Sequence, residues 1–231
     1  MTAAAPTVAA RLAEVRESIA RACRAADRDP AEVTLIGASK TQPPELLAEA
    51  CAAGLLDFGE NRAQELAAKA DAASLRAYAV RWHFIGSLQR NKVREVLPRI
   101  AALHSLDSLR LADEIQHQSE RAGTGRRLAC YVEVNVAGEA SKAGVAPAEL
   151  APLLHALQSR ASIDVVGLMT VAPAADDPEQ ARPVFRALRE LAHAHGLRGL
   201  SMGMTEDYPA AIAEGATAVR VGRALFGPRN E

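Results

Sequence analysis

The fold follows from one stretch, Val33-Thr-Leu-Ile-Gly-Ala-Ser-Lys-Thr-Gln-Pro-Pro44, in which an apolar segment passes through a turn into a helix. Its first half is short, contains β-branched residues and is closed by prolines, a pattern typical of a buried strand. Pro44 suits the first turn of a helix, where the missing backbone N–H costs nothing. Side chains alternate along a strand, so Ile36, Ala38 and Lys40 share one face.

Lys40 is the candidate reactive residue of this stretch. If its face points inward, the amine lies at the mouth of an apolar core, where burial favours the neutral, nucleophilic form. Such a lysine suits a Schiff base to an aldehyde. The alternative is a solvated lysine in a loop at a strand end, and this stretch alone favours that alternative, because most lysines are exposed.

The same strand-to-helix pattern recurs along the chain, after an amphipathic helix from about residue 7 to 26. Strict alternation of strands and helices predicts a parallel sheet covered by helices. Eight such units in 231 residues favour a single (β/α)8 TIM barrel, typically ~250 residues long, over a doubly wound open sheet. We therefore expect one domain spanning residues 1–231, with strands at 33–39, 55–59, 81–86, 102–106, 128–136, 165–171, 199–202 and 218–221.

Composition excludes several classes of function. A net charge of −1 gives no case for binding nucleic acid or an anionic membrane. The three cysteines are scattered and form no C-x-x-C pair, so neither a disulfide framework nor a zinc site is expected. His193 and His195 are two apart on a helix, where side chains diverge, so we expect no metal there either. Without a signal peptide or a long apolar run, the sequence predicts a cytoplasmic protein.

Two glycine-containing loops follow the last two predicted strands. They are Ser201-Met-Gly-Met-Thr205 and Gly222-Arg-Ala-Leu-Phe-Gly227. In a TIM barrel, the loops after strands seven and eight usually bind phosphate. Gly203 and Gly222 would let backbone N–H groups approach phosphate oxygens, and the hydroxyls of Ser201 and Thr205 could donate as well. Tight turns that need glycine explain the same residues equally well.

Three other polar side chains have two readings each. Arg220 lies within the last strand, where a buried guanidinium needs an acceptor. A heteroaromatic ring nitrogen and a core carboxylate are both candidates. Lys142 is either a mobile surface lysine or an anion contact over the barrel mouth. His83 is more simply a core histidine than a ligand.

Several long motifs in one order make the chain similar to the pyridoxal phosphate homeostasis protein family, which is related to the barrel domain of alanine racemase. The resemblance covers nearly the whole chain. The motifs are Ala38-Ser-Lys-Thr41, Phe58-Gly-Glu-Asn61 with Gln64-Glu65, Trp82-His-Phe-Ile-Gly86 with Leu88-Gln89 and Asn91-Lys92, Ser141-Lys-x-Gly144, Gly167-Leu-Met169, Leu200-Ser-Met-Gly-Met204, and Val219-Arg-Val-Gly222 with Phe226-Gly227.

The resemblance implies pyridoxal 5′-phosphate (PLP) as the cofactor, held as a Schiff base on Lys40. It implies that Arg220 faces the pyridine nitrogen, and that Ser201 and the backbone around Gly203, Gly222 and Arg223 hold the phosphate. Arg223 stands where many relatives have a small hydroxyl residue, so its own phosphate contact would be ionic or absent. The other cofactor-binding positions implied are Asn61, His83, Met169 and Met204.

We expect a protein that carries and buffers PLP and supports vitamin B6 and amino-acid homeostasis, without robust catalysis. An arginine stays protonated and donates to the ring nitrogen, and an unprotonated ring is a poor electron sink. In alanine racemase-like enzymes a separate β-domain supplies the second base, and the chain stops at Glu231, just past strand eight. The alternatives are a PLP-dependent amino-acid racemase and a phosphosugar enzyme without PLP, which leaves Lys40 unexplained. We expect a monomer that serves PLP-dependent apoenzymes.

Overall fold

Eight parallel strands close into a barrel in the computed structural model, which describes residues 6–139, 142–173, 175 and 177–227. Each strand pairs with the next along the chain, and the last pairs with the first. The (β/α)8 barrel is therefore confirmed over the open sheet. The strands are β1 (Thr34–Ala38), β2 (Asp57–Glu60), β3 (Arg81–Phe84), β4 (Ile100–Leu106), β5 (Leu128–Glu133), β6 (Ile163–Met169), β7 (Gly199–Met204) and β8 (Ala218–Val221).

Helices cover the outside of the barrel. In the described ranges, no helix has the length and apolar character needed to cross a bilayer. The helices are α1 (Val8–Ala25), α2 (Pro44–Ala52), α3 (Ala63–Ala70), α4 (Val93–Val96), α5 (Leu109–Ala122), α6 (Pro147–Leu157), α7 (Arg182–Ala194), α8 (Tyr208–Ala213) and α9 (Arg223–Phe226).

The amphipathic helix before the first strand is confirmed as α1. Thr7 caps its start, since the Thr7 hydroxyl accepts from the N–H of Ala10. Its buried side packs against α2 near the start of the barrel and against α8 and α9 near its end. The helix therefore covers the seam where β8 closes onto β1.

Most predicted strands begin or end one to three residues away from their expected bounds in the structure. The fifth strand was expected to run to residue 136, but it ends at Glu133, and Val134 makes only an isolated bridge to Val145. After β6 the chain forms a 3-10 turn over Pro178–Ala181, and α7 begins only at Arg182. Pro183 explains this late start, because it has no N–H for the bond to residue 179 that an α-helix running through the turn would need.

The two faces of β1 separate the helix layer from the barrel interior. A Cβ added at Gly37 would lie 2.9 Å from a methyl of Leu55, so Gly37 faces the helices. Ile36 faces the other way, into the barrel, where its Cγ2 would lie 3.1 Å from a Cβ added at Gly59. Ala38 follows on the same face of β1 and lines the cavity at the end of the strand. The predicted inward face is therefore confirmed for Ile36 and Ala38. Lys40 also lines the cavity, but it does so from the turn beyond β1 and not from the strand.

Candidate functional site

A cavity of about 500 Å³ opens at the carboxyl ends of the strands. Its volume falls within the roughly 300–1,000 Å³ usual for small-molecule sites. Four cations line it, and two carboxylates, Glu206 and Asp207, lie among them. The cavity is thus suited to an anionic ligand with an apolar body. The cations are Lys40, Lys142, Arg220 and Arg223, and the lining also includes Ala38, Val171, Ala172, Pro173, Met204, Thr205 and Gly222.

Lys40 is half-buried in a tight turn directly after β1. The next residue, Thr41, has φ of 64°, in the left-handed region that β-branched residues rarely adopt. Both neighbours of Lys40 are fixed from α3. The N–H of Thr41 donates to Glu65 Oε2 at 3.0 Å, and the carbonyl of Ser39 accepts from Lys69 Nζ at 2.7 Å. These bonds hold the backbone of the turn at both ends.

A buried ion cluster underlies that turn, and sequence reasoning missed it. Lys69 Nζ lies 2.6 Å from Glu60 Oε1 and 3.6 Å from Glu65 Oε2, and the Ser39 hydroxyl donates to Glu60 Oε1 at 2.6 Å. Burial raises the pKa of Glu60, and the hydrogen bonds from Lys69 and Ser39 oppose that rise. The i,i+4 spacing of Glu65 and Lys69 on a helix was the available signal.

The loops after β7 and β8 meet beside Lys40. Gly203, which was predicted in the first of these loops, lies inside β7 near its end. It has φ of 92°, and an added Cβ would lie 2.6 Å from Cβ of Ala211, so only glycine fits. The N–H of Gly222 donates to the hydroxyl of Thr205 at 3.2 Å, which joins the two loops. A Cβ added at Gly222 would lie 3.3 Å from the carbonyl oxygen of Ala38, so that loop also approaches β1 closely.

Two further cations of the lining are held by acidic residues. Arg223 pairs with Glu206 at 2.7 Å, and both side chains are more than half exposed. Lys142 Nζ lies 3.2 Å from Glu139 Oε1 and donates to the carbonyl of Val171 at 3.3 Å. Lys142 therefore lies over the barrel mouth, the position that it would need in order to contact an anion there. Ser141, which precedes it in the sequence motif, lies outside the described residues.

Arg220 is buried at the base of the cavity. Its Nη1 donates to the Ser201 hydroxyl at 2.5 Å, and its Nη2 donates to the carbonyl of Thr170 at 2.9 Å. Both acceptors are neutral oxygens, and among the residues that the structure describes no carboxylate bonds directly to Arg220. Burial lowers the pKa of Arg220 to about 10, while Glu133 and Asp207 act in the opposite direction. The guanidinium therefore stays charged at neutral pH.

Two residues expected near the ligand lie in the barrel interior instead. Ser201 is fully buried, and its hydroxyl contacts Arg220 and, at 2.7 Å, His104 Nδ1. His83 lies between His104 and Asp57, 3.0 Å from each. Neither side chain is part of the described cavity lining. Thr205, rather than Ser201, presents its hydroxyl there, because Ser201 sits deeper in β7.

Asn61, Met169 and Met204 complete the set expected from sequence. Met204 lines the cavity and is 38% exposed, whereas Met169 is buried beside Ser201 in the sheet. Among the residues that the structure describes, the buried Oδ1 of Asn61 finds no hydrogen-bond partner. Asn61 is not part of the described cavity lining, and a buried polar oxygen of this kind is usually satisfied by a partner such as a water molecule.

Comparison with known proteins places this chain in a family. The family model described as the alanine racemase N-terminal domain matches residues 11–230. The pyridoxal phosphate homeostasis protein of Aquifex aeolicus is 44% identical, with 95% of this chain and 97% of that protein covered. The protein of the same name from Pseudomonas aeruginosa is 43% identical, with 97% and 96% covered.

A solved structure agrees with these relatives. PipY of Synechococcus elongatus, determined with PLP bound, superimposes with a TM-score of 0.81 at 35% identity, covering 96% of this chain and 100% of that one. The chain belongs to the pyridoxal phosphate homeostasis protein family, within the group that shares the alanine racemase N-terminal domain.

Proposed function

We propose that this protein binds PLP in the cavity at the barrel mouth, and that it carries and buffers this cofactor in vitamin B6 and amino-acid homeostasis. The observation that carries the proposal is the convergence of Lys40, Arg220 and the two joined loops at Thr205 and Gly222 on one cavity. PipY, a relative of similar fold, was solved with PLP bound. The names of the curated relatives support the same role.

Each part of PLP has a chemical counterpart among the lining residues. The amine of Lys40 would condense with the aldehyde carbon, forming a C=N bond and releasing water. The hydroxyl of Thr205, which accepts from the N–H of Gly222 and keeps its own hydrogen for donation, would hold the phosphate together with the backbone N–H of Arg223. The cation of Lys142 would add charge. Arg220 would offer its remaining N–H donors to the pyridine nitrogen.

The charge state of Arg220 favours a carrier over an enzyme. Its pKa of about 10 keeps the guanidinium protonated at neutral pH, so it donates to the ring nitrogen and leaves that nitrogen without a proton. PLP supplies carbanion chemistry best when its ring nitrogen is protonated, because the ring is then a strong electron sink. The residues of this chain would therefore bind and release the cofactor without driving robust turnover.

A visible absorption spectrum of the protein mixed with PLP and then dialysed tests the binding site. The Lys40→Ala variant should lose the bound chromophore. Lys92→Ala is the matched control, since Lys92 pairs with Glu95 on the outside of the barrel, and it should keep the band. A Lys40→Ala protein that retains the full band would contradict the site.

The racemase alternative is separated by a different measurement. The PLP-loaded protein is incubated with single enantiomers of several amino acids, and the appearance of the opposite enantiomer is followed. A carrier leaves each enantiomer unchanged over many hours, whereas sustained inversion would remove the carrier proposal. We further propose that the protein acts as a monomer and transfers PLP to PLP-dependent apoenzymes.

A further inference from the structure

An unbroken chain of side-chain hydrogen bonds crosses the barrel interior from β8 to β2. Arg220 Nη1 contacts the Ser201 hydroxyl at 2.5 Å, and that hydroxyl lies 2.7 Å from His104 Nδ1. His104 Nε2 lies 3.0 Å from His83 Nδ1, and His83 Nε2 lies 3.0 Å from Asp57 Oδ1. The chain joins the guanidinium under the cavity to a carboxylate at the opposite end of the barrel.

The chemistry of its two ends gives this chain a direction. Arginine can only donate, and an ionised carboxylate can only accept. Ser201 therefore accepts from Arg220 and passes its own hydrogen to Nδ1 of His104. With both rings neutral, His104 must carry its proton on Nε2 and donate to His83, which in turn donates from Nε2 to Asp57. Every bond thus points from Arg220 towards Asp57.

The surroundings favour the neutral state of the central ring. Burial lowers the pKa of His104 well below its usual range, and the positive charge of Arg220 acts in the same direction. The ring of Tyr131 stacks on that of His104, with centroids 4.4 Å apart. If His83 gained a proton, His104 would have to carry its own proton on Nδ1 and not on Nε2. The buried Ser201 hydroxyl would then accept hydrogen bonds from both Arg220 and His104 and donate to neither.

Both ends of this hydrogen-bond chain lie near groups of opposite charge. Arg81 donates to Asp57 from Nε at 2.8 Å and makes a second contact through Nη2, so the carboxylate is held ionised and in place. The hydrogen bonds from His83 and Arg81 hold the pKa of Asp57 below its ordinary value, against the opposing and largest effect of burial. At the other end, the charges of Glu133 and Asp207 act on Arg220.

We propose that Asp57, His83, His104 and Ser201 are positioning residues that fix the guanidinium of Arg220 through this one-directional chain. Arg220 has five donors, and the chain and the Thr170 carbonyl hold two of its nitrogens. Arg220 lines the cavity, so holding these two nitrogens fixes the orientation of its remaining N–H donors there. The contact of these donors with a pyridine nitrogen rests on the proposed function. The direction of the hydrogen-bond chain does not depend on it.

Histidine tautomers measured by NMR on the protein without PLP test the chain itself. In protein labelled with ¹⁵N-histidine, two-bond correlations from the ring hydrogens show which nitrogen carries the proton. At pH 8, the single proton of each neutral buried ring, His83 and His104, should be found on Nε2. The exposed histidines His117, His155, His193 and His195 are internal references for solvated rings. His104 should keep its neutral tautomer at an acidic pH at which a histidine of ordinary pKa is charged. A proton on Nδ1 of either buried ring would overturn the proposal.

Substitution of Ser201 tests the link to Arg220. Ser201→Ala removes the hydroxyl that accepts from Arg220 and donates to His104 Nδ1. The His104 tautomer should therefore become a mixture, and the Arg220 Nε–H signal should shift. Ser201→Thr keeps the hydroxyl and should restore both signals. A Ser201→Ala protein whose His104 and Arg220 signals match the parent would refute the link.

Addition of PLP separates this proposal from the proposed function. Binding at the cavity should shift the His104 signals of the parent protein, and the shift should be much smaller in Ser201→Ala. Absence of any PLP binding would contradict the proposed function and leave the tautomer result intact. Binding that moves the His104 signals equally in both proteins would overturn the positioning role.

Discussion

Single residues at the cavity are fixed by close packing as much as by hydrogen bonds. Gly203 has a left-handed backbone, and a side chain at this position would overlap Ala211. Together these two features set the path of the chain from the end of β7 into the loop that follows. The sequence showed the glycine, but it could not tell whether glycine is needed there for a tight turn or to let a phosphate approach the backbone. The distinction depends on Ala211 and Tyr208 of α8, which approach Gly203 only in the folded barrel.

Gly203→Ala should lower the free energy of unfolding by roughly 2–4 kcal/mol, since backbone strain and steric overlap both contribute. Gly125→Ala is the matched control. Gly125 also has a positive φ of 60°, but nothing lies within 4 Å of an added Cβ, so only the strain of about 1 kcal/mol should appear. Urea unfolding of both variants measures the difference, and equal losses would contradict the packing explanation.

Glu133 should make stability depend on pH. Burial raises the pKa of Glu133 to about 7, the charge of Asp107 adds to the rise, and Arg220 opposes it. Between its ordinary pKa of 4.5 and about 7, the folded protein keeps a proton that the unfolded chain has released. The contribution of Glu133 to stability therefore falls as the pH rises through this window.

Glu133→Gln should remove that fall. The free energy of unfolding of the variant relative to the parent should rise between about pH 5 and about pH 8, by up to about 3 kcal/mol. Glu149→Gln, at an exposed position in the first turn of α6, is the control and should leave the profile unchanged. Parallel pH profiles for the parent and Glu133→Gln would contradict the buried, protonated state.

At the scale of elements, α3 fixes the turn that carries Lys40. The buried cluster of Glu60, Lys69 and Ser39 links β2, α3 and the end of β1. The sequence predicted the strand, the inward face and the helix that follows. It did not reveal this cluster, because Glu60 and Lys69 read as ordinary charged residues until the barrel buries them.

Lys69→Met should destabilise the protein by roughly 3–5 kcal/mol, because it leaves the buried carboxylate of Glu60 without its partner. The double variant Glu60→Gln with Lys69→Met should recover most of that loss, since no charge then remains unpaired. Urea unfolding of the two single variants and the double variant gives the coupling between them. Additive losses would show that the two side chains do not act as a pair.

At the scale of the whole molecule, α1 couples the start of the barrel to its end. Leu12 of α1 is 1% exposed, and the helix contacts α8 and α9, which flank the two loops of the cavity. Strand count and periodicity were enough to predict the closed barrel and this extra helix. The hydrogen-bond chain across the interior was not predictable, because His104 and Ser201 are 97 residues apart and nothing local marks them as partners.

Leu12→Ala should cost about 2–5 kcal/mol of stability through the cavity that it leaves in the core. Leu109→Ala is the matched control, because Leu109 is 36% exposed and its truncation should cost well under 1 kcal/mol. Thermal unfolding of the two variants, at the same protein concentration, compares them. A similar loss in both would mean that α1 is only peripheral to the barrel.

Borohydride reduction of the PLP-treated protein, followed by peptide mapping in a mass spectrometer, identifies the amine that holds the cofactor. The chain has four lysines, Lys40, Lys69, Lys92 and Lys142, so each can be read separately in one experiment. With PLP at equimolar concentration, the reduced pyridoxyl group should be found on Lys40, the lysine at the end of β1 beside the joined loops. A dominant adduct on Lys69, Lys92 or Lys142, with Lys40 unmodified, would contradict the proposed binding of the cofactor at the barrel mouth through the first strand.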